Sequence, residues 1–334
     1  MVRARSRLTL WPVVATLFAV PAFVSSPLLA DDASDSETYQ LHGKIRVESG
    51  RPPALLVSLF HESSPFPVHR EMVEEGDFRF RSLPGGTYVL VAVRTGLGEL
   101  RRTVHLGPES ADRRGIVEFT LDYSAGEAAA NASAGMVSLK RLMTPPRALS
   151  LYRDAQRLYL EGNVRDAVRK LTEAVHQGTD FAAGWVALGI IAQQRGQTVN
   201  AENDFRQALT VEPGNFEAAL NLGGLLLRTG RAEQALPYLH RAVEKHPLDA
   251  LANAQLGKAY FSLTDDLLAE HFLLEAKRID PQHFSYPQIF LAAVYARHGD
   301  PEAVTRELSE LIRHAPDSQL AGQLRRTVAV LKSR

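Results

Sequence analysis

Residues 182–215 read AAGWVALGIIAQQRGQTVNAENDFRQALTVEPGN. Within this stretch Trp185, Leu188, Gly189, Ala201, Phe205, Ala208 and Pro213 fall at positions 4, 7, 8, 20, 24, 27 and 32 of a 34-residue unit. Gly196, at position 15, marks a turn between two helices, because glycine accepts a positive φ that a Cβ would oppose. Pro213 ends the second helix, since proline cannot donate to the preceding turn. The unit is therefore a helical hairpin. Its small residues at positions 8, 20 and 27 lie where helix A crosses helix B, and its large residues at 4, 7 and 24 fill the seams.

The same phase continues on both sides. Residues 216–249 carry Leu222, Gly223, Leu226, Ala235, Leu239, Ala242 and Pro247, and residues 250–283 carry Leu256, Gly257, Tyr260, Ala269, Leu273, Ala276 and Pro281. Upstream, residues 148–181 give Ala155, Leu158, Gly162, Ala167, Leu171 and Ala174, with Thr179 in place of the proline. Downstream, one inserted residue, Phe284, shifts the frame to 285–318, with Leu291, Ala292, Tyr295, Gly299, Leu308, Leu311 and Pro316. Abutting frames in register predict an all-α solenoid of five hairpins, and the amphipathic run Gln319–Lys332 predicts a capping helix within 319–334. The pattern resembles the tetratricopeptide repeat (TPR), departing from it at Ala192, where that family often has Tyr.

In that family, positions 2, 5, 9, 12 and 13 of helix A line a concave groove. The resemblance thus implies a protein or peptide partner held by Tyr152, Gln156, Tyr159, Arg228, Lys258, Phe261, Tyr286 and Arg297. Arg228, Lys258 and Arg297 are the cations at these positions, and the aromatics would supply desolvated contacts. The expected partner is an extended or helical segment with acidic and apolar residues. The competing reading is self-contact, in which apolar groove positions pack on neighbouring helices or on the N-terminal domain. Chaperone-tail binding is disfavoured: the family's carboxylate clamp asks for Lys at position 5 and Asn at position 9, where repeat 1 has Tyr152 and Gln156.

Residues 38–122 have period two instead. Tyr39–Glu48, Ala54–His61, Phe78–Leu83, Thr87–Val93, Leu100–Leu106 and Gly115–Leu121 alternate or run apolar between turn-forming clusters, which predicts a small antiparallel β-sandwich. The stretch GDFRFRSLPGGTYVL (76–90) places Phe78 and Phe80 on one face, closes the core with Leu83 and turns at Pro84-Gly85-Gly86 before Tyr88 and Leu90. It resembles the signature of carboxypeptidase regulatory-like (prealbumin-like) domains, usually non-enzymatic appendages, some of which bind glycans. This domain has no Trp with which to build a glycan platform. His61 and His69 bracket the segment HESSPFPVH, read as a Pro/Ser loop with solvated histidines because a third metal ligand is missing.

Residues 123–147 read as a linker of small residues, within which Asn131-Ala132-Ser133 matches a glycosylation sequon. At the start of the chain, Arg3, Arg5 and Arg7 precede the uncharged apolar run Leu8–Val24, and Ala30 precedes Asp31-Asp32. This is the layout of a secretory signal peptide over residues 1–30, predicting a periplasmic or secreted protein with no membrane span after cleavage. The alternative is an uncleaved N-terminal anchor, which Pro21 and Pro27 disfavour.

The remaining composition excludes more than it assigns. Basic and acidic residues balance at 38 each, so nothing points to nucleic acid. There is no cysteine, which removes disulfides, thiolate metal sites and a thiol nucleophile. Nucleotide-binding, zinc-protease and serine-hydrolase motifs are absent. The histidines from His240 to His314 show no ligand spacing and read as solvated. The expectation is a non-catalytic exported scaffold without cofactors. The alternative is a cell-envelope or carbohydrate-binding protein whose sandwich is the ligand-binding part.

Overall fold

The structure, a computed structural model, describes residues 38–47, 53–94, 98–124, 144–178, 180–314 and 319–332. Residues 1–30, read above as a signal peptide, lie outside the described residues, as do the sequon match, Thr179, Pro316 and most of the stretch read as a linker.

Seven strands form two sheets among the described residues. β1 (Thr38–Val47), β4 (Asp77–Pro84) and β7 (Ile116–Tyr123) make one, in the order β4-β1-β7. β2 (Leu55–His61), β3 (Pro67–Val73), β5 (Gly86–Arg94) and β6 (Gly98–Leu106) make the other, in the order β3-β2-β5-β6. Leu41, Ile45, Phe78, Phe80 and Leu121 from the first sheet share one core with Leu55, Val57, Leu59, Tyr88 and Leu90 from the second, which makes the pair a sandwich.

Two features depart from the sequence reading. The pairing is not wholly antiparallel: β1 and β7 run parallel, Gln40 opposite Ile116 through Val47 opposite Tyr123. β6 and β7 lie in different sheets, so no hairpin turn forces them into opposite directions. The second departure is β3, placed where a loop was expected to run on to His69. This strand lies at a sheet edge with only Val73 buried, so the alternation that betrays a half-buried strand is missing.

The signature segment packs as its residues dictate. Phe78, Phe80, Leu83, Tyr88 and Leu90 are all buried, and the Tyr88 hydroxyl donates to the Pro84 carbonyl at 2.8 Å. Leu83 is out of phase with Phe78 and Phe80. A bulge corrects this: Tyr39 opposes Leu83 and Leu41 opposes Phe80, with Ser82 in a left-handed conformation at φ 56°. Across the ladder, Gly43 faces Phe78, and a Cβ at Gly43 would lie 1.8 Å from that ring.

The chain divides into two compact units, one ending at Asp249 and one beginning at Ala250. The first holds the sandwich and three hairpins: α1 (Pro146–Leu160) with α2 (Val164–Gln177), α3 (Ala182–Gln194) with α4 (Thr198–Val211), and α5 (Phe216–Arg228) with α6 (Ala232–Lys245). The second holds α7 (Ala250–Ser262) with α8 (Asp266–Ile279), α9 (Pro287–His298) with α10 (Pro301–His314), and α11 (Gln319–Lys332). Within the second unit, Leu324, Val328 and Leu331 of α11 join the core that contains Leu308 and Leu311 of α10.

Helix starts and stops follow local chemistry. Pro146 begins α1, where a missing N–H is no loss. Asn163, Asn215 and Asp265 cap α2, α5 and α8 by accepting from the backbone N–H three residues on. Between helices A and B, Gly162, Gly196, Gly230 and Gly299 all have φ between 70° and 81°. At the crossings, Ala167, Ala201, Ala235 and Ala269 are completely buried, as are Ala174, Ala208, Ala242 and Ala276. These side chains let the paired helices approach closely.

Candidate partner interface

The helix A face of the first hairpins is not bare. Phe66 belongs to the sandwich by sequence, lying between β2 and β3, yet it is absent from the sandwich core. It joins instead the apolar cluster of the first two hairpins, with Ala155, Tyr159, Leu171, Leu188 and Ile191, and is fully buried there. Its ring stands edge-on to Tyr152 at 5.3 Å and to Tyr159 at 5.5 Å, the geometry that aromatic quadrupoles prefer. Tyr152 also meets Phe181 edge-on at 5.2 Å.

Two side-chain amides hold the backbone around Phe66. Gln194 Nε2 donates to the Ser63 carbonyl, and Gln156 Nε2 approaches the Pro67 carbonyl at 3.5 Å. The Tyr159 hydroxyl donates to Gln194 Oε1 at 3.0 Å, orienting the amide that grips Ser63. Burial raises the Tyr159 pKa, an effect the bond to Gln194 partly offsets. From the other side the loop braces itself. Ser64 Oγ both donates to the Phe66 carbonyl at 2.8 Å and accepts from its N–H at 3.1 Å, and His61 Nδ1 lies 2.9 Å from Ser63 Oγ.

A second contact joins β6 to the third hairpin. Arg101 reaches Glu99 at 2.7 Å, Glu217 at 2.5 Å and Asp249 at 3.8 Å, with its guanidinium 5.1 Å above the Phe216 ring. His246 stacks on Phe216 at 3.8 Å and places Nδ1 3.3 Å from Glu99 Oε1. Burial alone would raise the Glu99 pKa, but Arg101 and His246 overcome this and hold it at about 2. Burial would likewise lower Arg101, yet Glu217, Glu99 and Asp249 keep it well above its ordinary value.

The residues expected to line a groove thus fall into separate settings. Tyr152, Gln156 and Tyr159 are brought together, around the chain's own loop. Arg228 ends α5 and is exposed. The rest lie in the second unit and engage their own neighbours. Lys258 donates to the Ser285 carbonyl at 2.9 Å and lies 4.7 Å above the Phe290 ring; burial pushes its amine down to about 8. Arg297 bonds Asp266 at 2.6 Å and the Phe261 carbonyl at 3.2 Å, and covers the Phe261 ring at 3.7 Å. Tyr286 packs partly buried beside α9, in a left-handed conformation at φ 48°.

Sequence reasoning missed Phe66, Glu99 and Arg101, because nothing local distinguishes an edge residue that docks from one that is solvated. It also erred on histidines. His246 and His283 are buried, not solvated, and His69 sits in β3 stacked on Phe80 at 5.3 Å. Among the described residues no group of three or more His, Asp or Glu stands close enough to hold a metal ion. No helix there is long and apolar enough to cross a membrane.

Residues 192–258 match the tetratricopeptide-repeat family profile. The hairpins of that stretch are TPR hairpins. Over 188 residues, 54% of its length, the chain is 27% identical to Cellulose synthase operon protein C of Xanthomonas axonopodis pv. citri (strain 306), of which the match covers 12%. It is 27% identical over 122 residues to Protein CTR9 homolog of Arabidopsis thaliana, covering 35% of this chain and 11% of that protein. The chain thus spans about an eighth of the length of these curated relatives. Similar solved structures include MamA from Desulfovibrio magneticus RS-1, at 22% identity and TM-score 0.48 over 53% of this chain and 99% of that one. Another is YrrB, described as a TPR protein with an unusual peptide-binding site, at 23% identity and TM-score 0.47 over 54% and 92%.

Proposed function

We propose that this protein is an exported, non-catalytic adaptor whose TPR array holds a protein partner on its helix A face. The observation that carries this reading is the seat of Phe66: that face already grips a loop segment by aromatic contacts and by amides directed at main-chain carbonyls. Nothing in those contacts is peculiar to a segment of the same chain. Arg228 extends the surface as an exposed cation at the end of α5. The sandwich, on its Gly76–Leu90 signature, reads as a carboxypeptidase regulatory-like appendage, and export rests on the Arg3–Ala30 layout.

The test uses the full chain expressed in its source cell. The protein recovered from envelope or culture fractions should begin near Asp31, and a chain retaining Arg3 would speak for an anchor instead. A partner crosslinked to that protein should be lost on Arg228→Glu together with Tyr159→Ala. Retention of the partner by this double variant would move the interaction off the helix A face.

A further inference from the structure

The loop between β2 and β3 is built as a ligand is built. Phe66 contributes a completely buried ring to the repeats and nothing to the sandwich core. Pro65 and Pro67 flank it, so the neighbouring backbone has no N–H to leave unsatisfied in an apolar seat. Gln194 donates to the Ser63 carbonyl and Gln156 approaches the Pro67 carbonyl, four residues on, which reads the main chain of a turned loop without demanding particular side chains there. Ser64 and His61 shape the loop in advance through bonds within it.

We infer that the slot between Tyr152 and Tyr159 is the ligand site of the first two repeats for a turned partner segment with an aromatic residue between prolines, and that Ser63–Pro67 is its tethered competitor. The inference rests on the adaptor reading and adds to it the chemistry of the partner and the means of control. A short tether presents a competing segment at an effective concentration on the order of millimolar. A free partner then sees its affinity reduced by the fraction of time the slot is open. Only a segment that reproduces the aromatic anchor displaces the loop, and its entry releases this contact of the sandwich with the array.

The probe is a fluorescein-labelled peptide of residues 61–69, HESSPFPVH, titrated by anisotropy into the full chain and its Phe66→Ala variant. The variant should bind at least about tenfold more tightly than the parent. Adding Tyr159→Ala to it should undo the gain, and a probe carrying Ala for Phe should bind neither. If Phe66→Ala, with unchanged helical circular dichroism, binds no better than the parent, the loop is a fixed seam and the inference is wrong. Should that variant fail to fold, hydrogen exchange on the parent decides: excess peptide should deprotect the Ser63, Ser64 and Phe66 amides, and unaltered protection overturns the inference. Uptake that tracks dimer formation in light scattering would name a second copy as occupant and also overturn it. A crosslinked partner lost on Arg228→Glu but indifferent to an open or closed slot would leave the adaptor reading standing and remove this one.

Discussion

Glycine serves two unlike purposes in these repeats. At position 8 it makes room. A Cβ on Gly189, Gly223 or Gly257 would come within 2.7 Å of Phe205, Leu239 or Leu273, the buried position 24 side chain of the same hairpin. At position 15 it supplies conformation: Gly162, Gly196 and Gly230 have nothing within 4 Å of such a Cβ, yet all have positive φ. Gly189→Leu should therefore destabilise by ~1–3 kcal/mol through overpacking. Gly196→Ala should cost about 1 kcal/mol through backbone strain alone. The fourth repeat tests the distinction in reverse. Its position 15 is Thr264, exposed and left-handed at φ 61°, a costly conformation for a β-branched residue. Thr264→Gly should stabilise the second unit by about 0.5–1 kcal/mol in chemical denaturation, the released strain exceeding the added chain entropy. A loss of stability would show that the threonine makes contacts of its own.

Among the elements, β6 carries a buried carboxylate whose ionisation is coupled to folding. Glu99 is nearly inaccessible and ionises at about 2 in the folded protein against an ordinary 4.5, so folding favours its charged form. The folded carboxylate thus contributes stability that is fully present above pH 4.5 and is lost as pH falls towards 2. A depression of that size corresponds to ~3 kcal/mol. Acid titration of the parent, followed by thermal unfolding, should show the loss concentrated in this window. Arg101→Ala leaves Glu99 buried without its closest cation. It should cost ~3–5 kcal/mol near neutral pH and move the acid loss to higher pH. An acid profile unchanged by this substitution would remove Glu99 as its source.

At the scale of the molecule, the sandwich and the first three hairpins form one compact unit. Among the described residues the Phe66 seat and the Arg101 cluster join them. Calorimetry of the parent should give a single transition for this unit. Phe66→Ala with Arg101→Ala should split it, helical signal at 222 nm and fluorescence of Trp185 reporting the array apart from the sandwich. A transition that stays single would mean that the coupling runs elsewhere.

Repeat phase, turn glycines, crossing alanines and the sandwich signature were all legible in the residues. Each is a local requirement repeated at fixed spacing: Ala208 has to be small because its own hairpin closes over it, and Phe78 has to face inward because Gly43 leaves it space. The docking of Phe66 was not legible, for SSPFP between two strands reads as a solvated loop until the tyrosines of α1 are placed beside it. Nor was the Arg101 cluster, whose members come from β6, α5 and the turn after α6. The bulge at Ser82, the parallel β1–β7 pair and edge strand β3 likewise depend on neighbours distant in sequence. Amino-acid order alone determined which faces each element must bury. Tertiary structure alone decided what covers them, because burial periodicity marks a side chain as apolar and says nothing of which apolar partner it will meet.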